Sequence, residues 1–261
     1  MEFFVLYFQK FMLVFARMMG LMLTSTFYES DSIINQVKLG LTFFVTAVMF
    51  PVVFDNIPEV PQDIVQYGLI AIGEGLIGAT IGICITISFS VYQLAGQYFT
   101  VQMGLGASEV FDPMSQISLP LMGQYLYLVA IMVFLAIKGP LIIIYELYYS
   151  YGLVTIESLT NGVIINSPYG IVGIFSSMFL VALRISLPIV ASLLLVSISM
   201  GLLAKAAPQM NLLMIGFPIS IGVSFAIIIL LLPLFVEFVD NYMNETFNSL
   251  YLLMKEMKVG T

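Results

Sequence analysis

"LLMIGFPISIGVSFAIIILLLPLFV", residues 212–236, passes from Leu212 to Val236 without one charged side chain. It is longer than the roughly 20 apolar residues a helix needs to cross about 30 Å of hydrocarbon. Its apolar residues do not alternate with polar ones, which excludes a barrel strand and leaves a helix hidden from water on all sides. Two prolines, Pro218 and Pro233, fall inside it. Each removes a backbone donor and crowds the preceding turn, so kinks are expected there. A broken helix survives in a membrane only where protein or a water-filled cavity satisfies the freed carbonyls. Such a segment is therefore hidden from water without necessarily touching lipid along its whole length.

The rest of the chain reads the same way. Of 261 residues, 61% are hydrophobic and 9% charged, whereas soluble domains are about half apolar and a quarter charged. No charge occurs between Glu74 and Glu109, Asp112 and Lys138, Glu157 and Arg184, or Lys205 and Glu237. Apolar segments lie at about 3–27, 39–54, 67–98, 119–145, 170–200 and 212–236, and further prolines, Pro51 and Pro188, break two of them. The fold class expected is all-α: an integral membrane-type protein of about six apolar segments in a single domain. The tail from Glu237 mixes charges with "FNSLYLLM" and is expected to be an interfacial or subunit-docking helix.

Several functions are disfavoured. The net charge is −7, with 15 acids against 8 bases, and no basic cluster exists to hold nucleic acid. Histidine is absent and Cys84 is the one cysteine, so no catalytic base–thiol arrangement or acid cluster of metal-ligand spacing stands out. The expectation is a non-enzyme without cofactor or metal. Glu2 stands where a signal peptide carries basic residues, so the N-terminus is read as part of the mature chain.

Three features carry more specific expectations. "GEGLIG", residues 73–78, matches G-x-G-x-x-G but lies within a long apolar segment, without the strand and helix start that a dinucleotide site needs. Gly75, Gly78 and Gly82 are read as a packing face, since Gly78 and Gly82 form the G-x-x-x-G spacing that lets helix backbones approach. Glu74, Lys138 and Arg184 are candidates for charges at depth, where burial costs about 2.5–3.5 kcal/mol on insertion scales. Glu74 could be a proton or cation site, or all three could join helices or subunits. Lastly "VQMGLGASEVFDPMSQ", residues 101–116, combines Gly104, Gly106 and the Asp112-Pro113 turn with Met103, Phe111 and Met114. Functional loop and plain connector are both open readings.

At "GLLAKAAPQMNLLMIGFP", residues 201–218, the chain resembles the FliR family, the export-gate membrane subunit of bacterial flagellar type III secretion, whose relatives serve virulence injectisomes. Gly201–Ala204, Ala206–Asn211 and Gly216–Pro218 carry the likeness, as does "QMGLGASEVFDP" at residues 102–113. Lys205 stands where the family usually has arginine, and "AIKGP" where many members have Gly-His. The resemblance implies one copy of the chain assembled with FliP-like and FliQ-like subunits and an FlhB-like subunit. Residues 1–185 would be similar to FliP and 186–261 to a FliQ hairpin. Unfolded export substrates would pass through the centre, in the bacterial inner membrane at the flagellar basal body.

It also implies that the Gly-rich loop closes the channel, with Met103, Phe111 and Met114 as the hydrophobic gate. Lys205, Pro208, Gln209, Met210 and Asn211 would form the corner between two packed helices, with Lys205 meeting an acid or carbonyls of a neighbour. The rival reading, a secondary transporter or channel with Glu74 and Arg184 at a midplane site, expects an inverted repeat.

Overall fold

The computed structural model describes residues 2–26, 34–57, 60–61, 63–105, 121–154, 169–209 and 211–259. Regular structure among them is helical: α1 (Glu2–Thr24), α2 (Asn35–Val53) running into a 3-10 turn (Phe54–Asn56), α3 (Ile64–Met103), α4 (Leu121–Ala136), α5 (Gly139–Leu153), α6 (Ile171–Ala206) and α7 (Leu212–Val259). Among the described residues five helices are long and apolar enough to cross a membrane, or up to six spans if α4 and α5 count together as one broken span. The described parts of all six apolar segments are thus helical. Pro51, Pro188, Pro218 and Pro233 sit inside α2, α6 and α7 without ending them.

The bend between α4 and α5 falls inside what reads as one segment, 119–145. Lys138 has φ 61°, the left-handed region, and precedes Gly139 and Pro140 at the start of α5. A left-handed residue with a Cβ costs roughly 1–2 kcal/mol. Lys138→Gly is therefore expected to stabilise the chain by up to about 1 kcal/mol, read as a higher thermal midpoint of the purified protein.

The chain forms two compact units, each discontinuous in sequence. Unit 1 comprises residues 1–88, 138–176 and 243–261; unit 2 comprises 89–137 and 177–242. In unit 1, α1 buries Leu13, Val14, Arg17, Met18, Leu21 and Met22, and α3 buries Glu74, Ile77, Ile81, Cys84, Ile85 and Ser88. Both sets repeat at three- and four-residue intervals and make one helical face each. On the α1–α2 side, Tyr7 stacks on Phe54 at 4.7 Å, and Phe11 meets the edges of Phe43 and Phe50.

The last part of α7 completes unit 1. Met243, Thr246, Phe247, Leu250, Leu253, Met254 and Met257 are all buried, a stripe of helical period, while Glu245, Asn248 and Lys255 face outward. The tail expected to be an interfacial or docking helix thus packs one apolar face within its own chain and leaves Tyr251 and Leu252 on its outer side.

Unit 2 is built on α3 from Phe89 onward, α4, α6 and α7 up to Tyr242. Phe89 meets Tyr127 and Phe134 edge-on, and Tyr92 meets Phe235 and Tyr242. Gly96 of α3 and Gly123 of α4 bring the two backbones so close that a Cβ on Gly96 would strike the Gly123 backbone. By contrast α6 and the first part of α7 bury little. Only 22% of the apolar window of α6 and 11% of that of α7 are enclosed.

Candidate functional site

Unit 1 is organised around one buried ion pair. Arg17 Nε donates to Glu74 Oε2 at 2.5 Å, and each side chain is 1% exposed. Arg17 Nη1 donates to Ser150 Oγ at 2.9 Å, and that hydroxyl donates in turn to the Leu147 carbonyl. The guanidinium carbon lies 4.0 Å from the centre of the Tyr151 ring, and the Tyr151 hydroxyl donates to the Val14 carbonyl. One arginine therefore ties α1 to α3 by charge and to α5 by a hydrogen bond and a ring face. Glu74 Oε1 is buried and has no hydrogen-bond partner among the described residues.

The arginine reaches its partners because the helices come close. A Cβ on Gly20 would strike the Gly75 carbonyl, one on Gly78 the Arg17 carbonyl, and one on Gly82 the Thr24 hydroxyl. The position of Gly75 itself meets nothing nearer than the Ala16 carbonyl at 3.6 Å. Of the three glycines named from sequence, Gly78 and Gly82 thus make the close approach directly. Gly75 takes part through its carbonyl, opposite Gly20. Threonines close the same seam: Thr24 Oγ1 donates to the Ala79 carbonyl, and Thr86 Oγ1 donates to the Thr24 carbonyl and accepts from Thr26 N–H.

The other two candidate charges are not enclosed by this chain. Lys138 and Arg184 are exposed on this chain. Lys138 projects from the α4–α5 bend, and Arg184 lies on α6 beside an apolar cavity of unit 2. Arg17, which sequence reading did not single out, is the buried cation. Its only local signal is its position within the apolar segment 3–27.

In the loop region, Met103 ends α3 and is fully buried in unit 2. Its side chain packs inside the chain instead of presenting a free surface. Gly104 follows with φ 84°, and a Cβ there would strike the Phe217 ring. Gly106, Phe111, Asp112, Pro113 and Met114 lie outside the described residues.

The corner residues are placed as follows. Lys205 is exposed in the last turn of α6, and the Ala207 N–H reaches back to the Leu203 carbonyl at 2.8 Å. Pro208 and Gln209 form an exposed turn, and Met210 lies outside the described residues. Asn211 Oδ1 accepts from the Met214 N–H at 3.3 Å, as an N-cap side chain does. Just beyond, a Cβ on Gly216 would touch Met200 of α6 at 3.6 Å.

Among the described residues no three Cys, Asp or Glu side chains gather where a metal could sit. What the arrangement offers is mechanical: a rigid, dry clasp in unit 1, and in unit 2 a turn and loop joined to helices with largely uncovered apolar faces.

Comparison with known proteins agrees in class. A sequence profile described as "Bacterial export proteins, family 1" matches residues 8–246. The chain is 29% identical over 248 residues to the flagellar biosynthetic protein FliR of Bacillus subtilis (strain 168), covering 95% of both chains. It is 29% identical to the protein of that name from Pectobacterium carotovorum subsp. carotovorum, covering 95% of this chain and 94% of the relative. With that of Escherichia coli (strain K12) the identity is 28%, over 92% of this chain and 91% of the relative.

Proposed function

This chain belongs to the bacterial export proteins, family 1, and from that premise we propose that it is a membrane-embedded subunit of the flagellar type III protein export apparatus, working in the bacterial inner membrane. The observation that carries this reading is the match at near full length to proteins named flagellar biosynthetic protein FliR. The helices suit the role. Long apolar helices with mostly uncovered faces are what a subunit presents when neighbouring membrane proteins complete it.

In the proposed assembly one copy joins FliP-like, FliQ-like and FlhB-like subunits around a path for unfolded substrates. Its role is to shape and seal that path, with no chemistry of its own. Residues 1–185 contribute the FliP-like part and 186–261 the FliQ-like hairpin. The loop beyond Gly104 acts as the seal, with Phe111 and Met114 closing a constriction by excluding water. Met103, enclosed in unit 2, anchors the loop where it leaves α3.

Native mass spectrometry of the complex co-purified with a C-terminally tagged chain tests the assembly. One copy with several copies of two smaller membrane proteins supports it, and a free monomer or simple homodimer overturns it. The seal has its own test. Deleting residues 104–113 is expected to raise ion leakage through an assembled gate, measured as membrane conductance. Unchanged conductance in a complex of normal composition would exclude this loop as the seal.

A further inference from the structure

The two stretches that carry the family likeness, residues 102–113 and 201–218, lie far apart in sequence and meet in unit 2. They meet at Gly104 and Phe217. Helix α3 ends at Met103, whose side chain is fully buried, and the Gly104 N–H reaches back to the Val101 carbonyl at 3.1 Å. At φ 84° the chain turns off the helix axis there, as left-handed glycines do at helix C-termini. The turn favours glycine without requiring it, since asparagine also adopts this region. The ring removes that latitude. A Cβ on Gly104 would overlap Cδ1 and Cε1 of Phe217, so no side chain fits.

The ring is held from its own side as well. Asn211 caps the start of α7, which puts Phe217 in the second turn. A Cβ on Gly216 would meet Met200 at 3.6 Å, so the same turn stands close to α6. Contacts therefore run from Met200 of α6 through Gly216 and Phe217 of α7 to Gly104. The α6–α7 corner sets where the ring stands, and the ring sets how the chain leaves α3.

We propose that Phe217 is the positioning residue of the loop that begins at Gly104, clasping its root and tying it to the α6–α7 corner. The inference rests on the reading of that loop as the seal. A flat, rigid ring edge lies close along a bare glycine backbone, where a branched aliphatic chain would leave gaps. Pro218 cannot donate to the Met214 carbonyl four residues earlier, so α7 can bend just past the ring. A movement of the corner relative to α3 withdraws the ring and releases the root of the loop.

The test uses the intact complex carrying the full chain, its composition checked by native mass spectrometry, and has two readouts. The first is ion conductance in membranes. Phe217→Ala should raise it roughly tenfold over wild type, the shift in a closed population that losing one packed ring produces. Phe217→Tyr keeps the Cδ1–Cε1 edge and should stay near wild type. Gly104→Ala leaves α7 untouched and reaches the same contact from the loop side, so it should leak too. Added to Phe217→Ala it should raise conductance little further, because the obstructing ring is gone.

The second readout is the rate of thiol labelling at Leu105→Cys. Cys84, the one native thiol of the chain, is fully buried and gives little background. Labelling should quicken in Phe217→Ala and not in Phe217→Tyr. A Phe217→Ala complex as tight as wild type, when deletion of residues 104–113 leaks, overturns the clasp and leaves the loop as the seal. Unchanged labelling overturns the clasp as well. A deletion that does not leak removes the seal, and faster labelling in Phe217→Ala would still uphold Phe217 as the residue that fixes the turn.

Discussion

Replacing Arg17 by methionine is expected to cost about 3–5 kcal/mol, because it strands the Glu74 carboxylate in a dry interior. That is a large share of the 5–15 kcal/mol that holds a typical domain folded. Glu74→Leu should be similarly damaging, since it strands the guanidinium. Arg17→Lys keeps the charge but loses the fork that reaches Glu74 and Ser150 together and the plane that lies on Tyr151. An intermediate loss, about 1–2 kcal/mol, is expected there. The informative variant is the double replacement, Arg17→Met with Glu74→Leu. Removing both charges leaves nothing to desolvate, and buried pairs replaced by apolar residues are often neutral or better. The measurement is the fraction of chain recovered in the folded, assembled complex and its thermal midpoint. Recovery in the double variant would assign the pair a structural role. A double variant as impaired as either single one would mean that the pair serves export beyond holding the helices.

Gly78→Leu is the second large effect. Even a Cβ at this position meets the Arg17 carbonyl, and backbone cannot swing aside as a flexible side chain can. Overpacking costs typically 1–3 kcal/mol, and contact with backbone lies at the upper end or beyond. The damage would also reach the ion pair, because moving the Arg17 backbone moves its side chain away from Glu74. Gly20→Leu, opposite the Gly75 carbonyl, should behave alike. Gly68 and Gly222 are the controls. Both lie inside helices with nothing within 4 Å of an added Cβ, so alanine there should be neutral or stabilising by up to about 1 kcal/mol. Thermal unfolding of the four variants separates close packing from a general intolerance of substitution.

The helices were legible because hydrophobic length is a local property, written in consecutive residues. The glycine seam was half legible. The G-x-x-x-G spacing marks Gly78 and Gly82 on α3, yet Gly20, which faces that seam from α1, belongs to no motif of its own. The ion pair was half legible for the same reason. An isolated Glu74 in an apolar run says that a partner is needed, but the partner lies 57 residues away in sequence and no local pattern points to it. Lys138 and Arg184 look like Glu74 in sequence, but what separates them is which helix face meets another helix. The α4–α5 bend was visible only as Gly139-Pro140, a pair equally at home in the first turn of a new helix and in a kinked one. The tail was half legible: its charges suggested an interface, while the stripe it buries within the chain, Phe247, Leu250, Met254 and Met257, has an ordinary helical period.

Unit 1 takes its parts from the beginning, the middle and the end of the chain, and this sets the timing of its birth on the ribosome. At 5–20 residues per second, Glu74 is synthesised about 3 to 11 s after Arg17. Ser150 comes later still, and the stripe beginning at Met243 comes 93 residues after Ser150. Throughout that interval the nascent chain holds an unmatched guanidinium in an apolar helix. Something other than its own fold, the insertion machinery or headgroup water, has to accommodate that charge. Unit 1 therefore closes late in synthesis, and a chain cut short before residue 243 lacks the stripe that completes it.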